Sequence, residues 1–203
     1  MNKIINMSIA YFFLLTVISC SKSDGIKIQA HDSNRMMDSM HVMMSKMDTM
    51  KMTNDPDIDF AAMMRMHHQG AIGMANLELQ QGKNDSLKRT AQKVIDEQQK
   101  EIQQLSILLS TFTVDNSDPD FTMEQQNNME KMGKLADTQL ITGDIDNDFA
   151  TLMIVHHQSA TDNASAYLHH GSNADLLIMA KSMVKSQTME IDELASWLIA
   201  NKR

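Results

Sequence analysis

The chain has 203 residues, with 18 Lys and Arg against 26 Asp and Glu, a net charge of -8. That is room for one ordinary domain, and an acidic balance without a basic block argues against nucleic acid as a partner. Only 2 Pro and 7 Gly exclude a collagenous chain, and the single Cys excludes an internal disulfide framework or a cysteine-based zinc or iron–sulfur site.

In chain order, residues 1–19 read as an export signal. Lys3 supplies a positive start, and Met7 to Ile18 is almost wholly apolar. At about 12 residues this run is too short to span a bilayer comfortably. It ends in Val17-Ile18-Ser19-Cys20, an aliphatic residue three places before Cys and a small one just before it, which resembles a bacterial lipobox. This reading makes Cys20 the site of lipidation and residues 20–32 a tether. Acyl chains would then hold the protein to a membrane surface, in the bacterial cell envelope, exposed to the periplasm or the cell surface. The alternatives are an ordinary signal with an incidental Cys and an uncleaved anchor.

The tether leads into a methionine-rich amphipathic segment over 33–52. Met36, Met40, Met43, Met47 and Met50 form a heptad stripe, with Met37, His41 and Met44 beside it. An unbranched thioether can serve as core filler. A core of ordinary make-up would carry Leu, Ile and Val, and here only Val42 occurs. Thioether sulfur is a soft ligand that favours Cu(I), and Met-x-x-Met or Met-x-x-His places two ligands one helical turn apart. Met36, Met40, His41, Met43, Met44, Met47 and Met50 are therefore candidate metal ligands.

From there the chain repeats itself. Shifted by 89 positions, residues 57–109 overlie 146–198 without a gap, and 20 of 53 positions are identical. The register extends upstream through Met40/Met129, Met43/Met132, Asp48/Asp137 and Thr49/Thr138. Such a period means two copies of one structural unit: repeat 1 over 33–112, a linker at 113–120, and repeat 2 over 121–203. In each copy, Phe60, Met64, His67, Ala71 and Met74, or Phe149, Met153, His156, Ala160 and Asn163, fall on one helix face. A second helix follows with Ala91, Ile95, Gln98, Ile102 and Leu105, or Ala180, Val184, Gln187, Ile191 and Leu194. Gly82 and Asn84, with Gly171 and Asn173, mark C-cap and then N-cap, so each pair is a helical hairpin. Asp57, Asp59, Asp146 and Asp148 suit the positive ends of helix dipoles. Neither hairpin can bury its apolar face alone. The expectation is an all-α, ferritin-like four-helix bundle built from two hairpins. A Met-rich helix precedes the first hairpin, and a shorter helix precedes the second.

The recurring Met-x-x-His-His is the second constellation. Met64, His67, Met153 and His156 lie on stripes that should face each other, converging two imidazoles and two thioethers. His68 and His157 lie about 100° round the helix, toward a neighbouring helix, the Met-rich one included. The competing reading is a structural polar network. Gln98 and Gln187 sit on apolar stripes, with Glu101 and Glu190 one turn on. These four either accept the free N–H of a ligating His or bond between helices. His169-His170 has Gln80-Gln81 as its counterpart, so no shared role attaches to it.

The duplicated Phe-x₃-Met-x₂-His-His-Gln-x-Ala pattern resembles the bacterial domain-of-unknown-function family 305, over nearly all of the chain that follows the signal. The resemblance implies a ferritin-like helical bundle, exported or membrane-tethered, akin to periplasmic copper-binding proteins. It also implies a metal role for Met64, His67, His68, Met153, His156 and His157. The expected function is soft-metal binding, Cu(I) first and silver second, for copper buffering, transfer or tolerance. A copper donor or acceptor protein and a homo-oligomer are possible partners. The alternatives are a ferritin-like metal-dependent oxidase and a non-metal helical module with a Met-rich partner surface. An enzyme is the weaker reading, since Glu-x-x-His, a P-loop and a dinucleotide fingerprint are all missing.

Overall fold

The protein is described by a computed structural model over residues 27–201. The signal at 1–19, the lipidation site Cys20 and most of the tether lie outside the described residues. Six α-helices follow a single 3-10 turn at His31–Ser33: α1 (Arg35–Asp48), α2 (Pro56–Gln81), α3 (Asp85–Leu109), α4 (Pro119–Asp137), α5 (Ile145–His170) and α6 (Ala174–Ala200). No strand occurs among the described residues. No helix among them is long and apolar enough to cross a membrane.

Each helix starts on a short polar side chain that accepts backbone N–H groups: Asn34, Asp55, Asn84, Asp118, Asp144 and Asn173. These are the residue types that satisfy the orphan donors of a first turn, each worth about 1 kcal/mol over Ala. The helix before the second hairpin is the longer of its kind, with 19 residues in α4 against 14 in α1. The cause is local. Asp118 and Pro119 start α4 inside the stretch read as linker, whereas α1 stops at Asp48, ahead of the Thr53-Asn54-Asp55 turn.

Both hairpins form as the caps require: α2 packs on α3, α5 packs on α6, and α2 meets α5 across the middle. The outer helices extend this four-helix bundle, α1 lying on α2 and α4 on α5. Gly82 and Gly171 close α2 and α5, but with extended backbone, φ -63 and -73. Their smallness serves space rather than a left-handed cap. A Cβ at Gly82 would meet the Glu78 carboxyl at 2.1 Å, and one at Gly171 would meet the Tyr167 ring at 2.2 Å.

The acidic residues near the helix starts do more than oppose a dipole. Asp59 accepts from Thr53 N, Thr53 Oγ1 and Asn54 N at 2.8, 2.8 and 3.0 Å. Its repeat mate Asp148 accepts from Thr142 N, Thr142 Oγ1 and Gly143 N at 2.8, 2.9 and 2.8 Å, and from Asn34 Nδ2 at 2.7 Å. Both turns use a left-handed residue, Asn54 (φ 64) and Gly143 (φ 76), the residue types that reach that region at least cost. Two positions earlier in each helix, Asp57 grips the α5–α6 turn through Ser172 N and Asn173 N. Asp146 grips the α2–α3 turn through Lys83 N and Asn84 N. The two copies therefore clasp each other reciprocally.

The core divides into two apolar clusters. In one, Ala71, Met74 and Ala75 of α2 join Phe149, Ala150 and Met153 of α5, Leu194 of α6, and Met36, Met37, Met40 and Met43 of α1. In the other, Phe60, Ala61, Met63 and Met64 of α2 join Ala160, Ala164 and Tyr167 of α5, with Leu176 and Met183 of α6. The start of each central helix thus meets the end of the other, so α2 and α5 run antiparallel. Between the clusters, at one level of the bundle, sits a waist of buried polar side chains.

Candidate metal centre

That waist is made of the repeated His-His pairs. His67, His68, His156 and His157 are all fully buried. The antiparallel crossing brings His67 and His156 together, with ring centroids 3.7 Å apart and planes tilted by 41°. The Nε2 of His156 lies 3.0 Å from the backbone oxygen of His67 and donates to it, leaving Nδ1 without a partner. Burial pushes both imidazoles well below the usual histidine range, and the neighbouring imidazoles add to the effect.

His68 and His157 turn away from α1. His68 Nε2 lies 2.6 Å from Glu101 Oε2 on α3, and His157 Nε2 lies 3.0 Å from Glu190 Oε2 on α6. The approach of the Met-rich helix to these rings does not occur, because α1 packs on the opposite side of α2. Of the four residues expected beside the His pairs, Glu101 and Glu190 lie against His68 and His157. Gln98 and Gln187 are buried on the same level, and neither of their amides makes a hydrogen bond. Burial raises the Glu190 carboxyl, but the His157 and Lys93 contacts outweigh it and hold the group below its usual range.

The four-ligand centre expected from Met64, His67, Met153 and His156 is not assembled. In an antiparallel pair, a residue one turn before His67 and one turn before His156 point to opposite sides of the crossing. Met64 belongs to one apolar cluster and Met153 to the other. The two rings face each other rather than a shared point. No group of three or more His, Cys, Asp or Glu is placed to hold a metal among the described residues.

The lowered pKa of His67 and His156 has a measurable consequence. A histidine whose folded pKa lies below its unfolded value contributes stability that is complete above pH 6.5 and is lost as pH falls. We expect the stability difference between wild type and a His67→Leu/His156→Leu variant to shift against wild type below pH 6.5. The limiting slope for two protons is about 2.7 kcal/mol per pH unit. Urea unfolding at pH 6.5, 6.0 and 5.5 reads it, and a flat difference would show that the pair protonates in the fold.

The methionine stripe of α1 is split by its own packing. Met36, Met37, Met40 and Met43 are buried core, with Met43 pressed on Gly70. From Met44 onward the stripe opens. Met44, Met47, Met50 and Met52 line a cleft of about 500 Å³ between α1 and α4, above α2. The other side carries Met63 of α2 and Met129 of α4, so six thioethers share one cavity. Met129 Sδ is oriented by Asn163 Nδ2 at 3.5 Å and Ser159 Oγ at 3.6 Å. Met44 Cε sits where a Cβ on Gly133 would be, 2.1 Å away, so Gly133 allows α1 and α4 to approach. Asp48, Glu130 and Asp137 add negative charge to the lining, and Lys134, paired with Glu130, offsets one of them. His41 lies 3.0 Å from Asp137 rather than among the lining residues.

Met52, Met63 and Met129 were not legible as cavity residues from spacing. Met63 precedes Met64 on the helix, and Met129 is the repeat mate of Met40. Only the crossing of α1, α2 and α4 makes neighbours of them. His170 also has a defined place: its Nδ1 lies 2.8 Å from Asp118 Oδ2 and its Nε2 3.4 Å from Glu124 Oε2. The hydrogen bond to Asp118 raises its pKa and ties the end of α5 to the start of α4.

Comparison with known proteins gives the same architecture. Residues 16–109 and 57–198, two overlapping stretches, match a family described as Domain of unknown function (DUF305). No curated protein matches the chain. Among solved structures, CopM in the Ag-bound form is similar at 27% identity and a TM-score of 0.57, covering 76% of this chain and all of that one. CopM in the Cu(I)-bound form is similar at 25% identity and 0.55, covering 72% and 98%. CopM in the Cu(II)-bound form is similar at 28% and 0.54, covering 70% and 94%.

Proposed function

This chain belongs to the DUF305 family, and from that premise we propose that it binds Cu(I), and Ag(I) as its chemical analogue, in the methionine-lined cleft. The observation that carries this reading is the gathering of Met44, Met47, Met50, Met52, Met63 and Met129 around one cavity. Thioethers select soft ions over Zn(II) or Mg(II). A partly open cavity with several thioethers suits an ion that must be taken up and released. The similarity to CopM structures holding Ag and Cu(I) supports the same chemistry. The carboxylates at the cleft favour cation approach. The reaction is ligand exchange, not catalysis, and the role is copper buffering, transfer or tolerance. The apolar start of the chain and Val17-Ile18-Ser19-Cys20, read as an export signal and a lipobox, support a location at the envelope on a lipid anchor.

The test is a competition titration of the protein against a chromophoric Cu(I) chelator, anaerobic and reduced, with Zn(II) in parallel. The expected result is a Kd below about 1 nM, or -12 kcal/mol, undisturbed by excess Zn(II). Cu(I) left on the chelator would refute the reading. The binding should also be flat from pH 7.5 to 5. Thioethers do not titrate, and the imidazoles of the waist, one turn or more from the cleft, are not its ligands. A loss of affinity in step with histidine protonation would move the site to the waist.

A further inference from the structure

The two ends of the bundle are built alike, with one substitution. At one end Tyr167 lies over Gly171, and its hydroxyl donates to Asp57, which also accepts Ser172 N and Asn173 N at 3.0 and 3.3 Å. At the other end the 89-residue repeat places Glu78 over Gly82, beside Asp146, which accepts Lys83 N and Asn84 N at 2.8 and 3.1 Å. Glu78 occupies the phenol's position and is fully buried. Neither of its oxygens meets a hydrogen-bond donor among the described residues. The group it reaches is another carboxylate.

Two buried carboxylates cannot share such a place with both charges intact. Tyr167 shows what the position requires, a donor to the clasping aspartate. A carboxyl group can donate only when it carries its proton. We infer that Glu78 is held as a neutral acid that donates to Asp146, a proton-dependent latch fastening the α2–α3 turn to the start of α5.

The charged groups facing Glu78 agree with this assignment. Asp146 and Asp144 at the start of α5 oppose its ionisation, and Lys88 of α3 favours it. Burial is the largest influence, followed by the Asp146 contact. Together they push the group up to about 8 from 4.5. The sign follows: a raised folded pKa means stability is complete below the unfolded value and declines as pH rises toward the folded one. The stabilisation from the latch therefore declines from about pH 4.5 upward and levels off near pH 8, where the folded protein itself gives up the Glu78 proton.

The test compares wild type with Glu78→Gln, whose amide donates at every pH. Unfolding constants are read by urea titration between pH 6 and 9. The wild-type constant should rise relative to the variant's by about tenfold per pH unit from 6 to 7.5, then level off. A ratio that stays constant across the range overturns the inference. If Glu78→Gln does not fold, the side-chain carboxyl carbon of Glu78 in wild type is followed by NMR. A midpoint near 8 upholds the latch, and one near 4.5 removes it.

Discussion

Replacing Met47, Met50 and Met129 together by Leu is expected to lower Cu(I) affinity at least about 100-fold. Loss of outer-sphere partners alone costs about 10–100-fold at metal sites, and this variant removes three of the thioethers that line the cavity. The fold should persist, because Leu and Met are close in volume and each swap costs less than about 1.5 kcal/mol. The matching control is Met36→Leu/Met40→Leu/Met43→Leu. Those side chains belong to the same α1 stripe but are buried in the core, so Cu(I) affinity should stay within a fewfold of wild type. Chelator competition on both variants separates the two halves of the stripe. If the core triple loses affinity and the cleft triple does not, the cleft is not the site. If both keep it, neither Met47, Met50 and Met129 nor the core methionines are the ligands.

Asp148→Ala is expected to cost at least about 3 kcal/mol of unfolding free energy. A carboxylate acting only on a helix dipole contributes about 0.3–1 kcal/mol. Asp148 instead accepts four hydrogen bonds, from Thr142 N, Thr142 Oγ1, Gly143 N and Asn34 Nδ2. The Asn34 amide is buried, and stranding it costs about 1–3 kcal/mol; the three part-buried donors of the turn each lose a hydrogen bond worth about 1 kcal/mol. The same substitution at Asp85, exposed in the first turn of α3, isolates the dipole effect and should stay below about 1 kcal/mol. Urea denaturation of both variants decides between the two magnitudes. An Asp148→Ala cost as small as that at Asp85 would mean that the turn holds without its acceptor. Because Asn34 caps α1 and also donates to Asp148, the loss should extend to the docking of the Met-rich helix.

The waist and the cleft distribute the family motif in an instructive way. His67 and His156 meet because the repeat is read antiparallel across α2 and α5. The same antiparallel crossing sends Met64 and Met153 to opposite ends of the core. A shared motif on two facing helices thus brings together its crossing residue and separates every residue one turn away. That is why the His-His pairs form a buried polar belt beside Glu101 and Glu190, while the thioethers of the cleft gather elsewhere.

Periodicity, capping residues and the 89-residue repeat determined the six helices, the two hairpins and the pairing of their halves. Those signals are local, or consist of identity along the chain, and a single sequence carries them in full. The abundance of Met likewise indicated soft-donor chemistry, since donor softness belongs to the residue and not to its surroundings. Tertiary structure alone decided which thioethers share a cavity. Met44, Met47, Met50 and Met52 lie along or just after one helix, but Met63 and Met129 join them only where α1, α2 and α4 cross. It also decided that the first half of the stripe is core, that glutamate rather than glutamine holds the waist histidines, and that Glu78 stands in for a tyrosine. Each of these depends on the direction in which packed helices present a face, and spacing along one chain does not contain that direction.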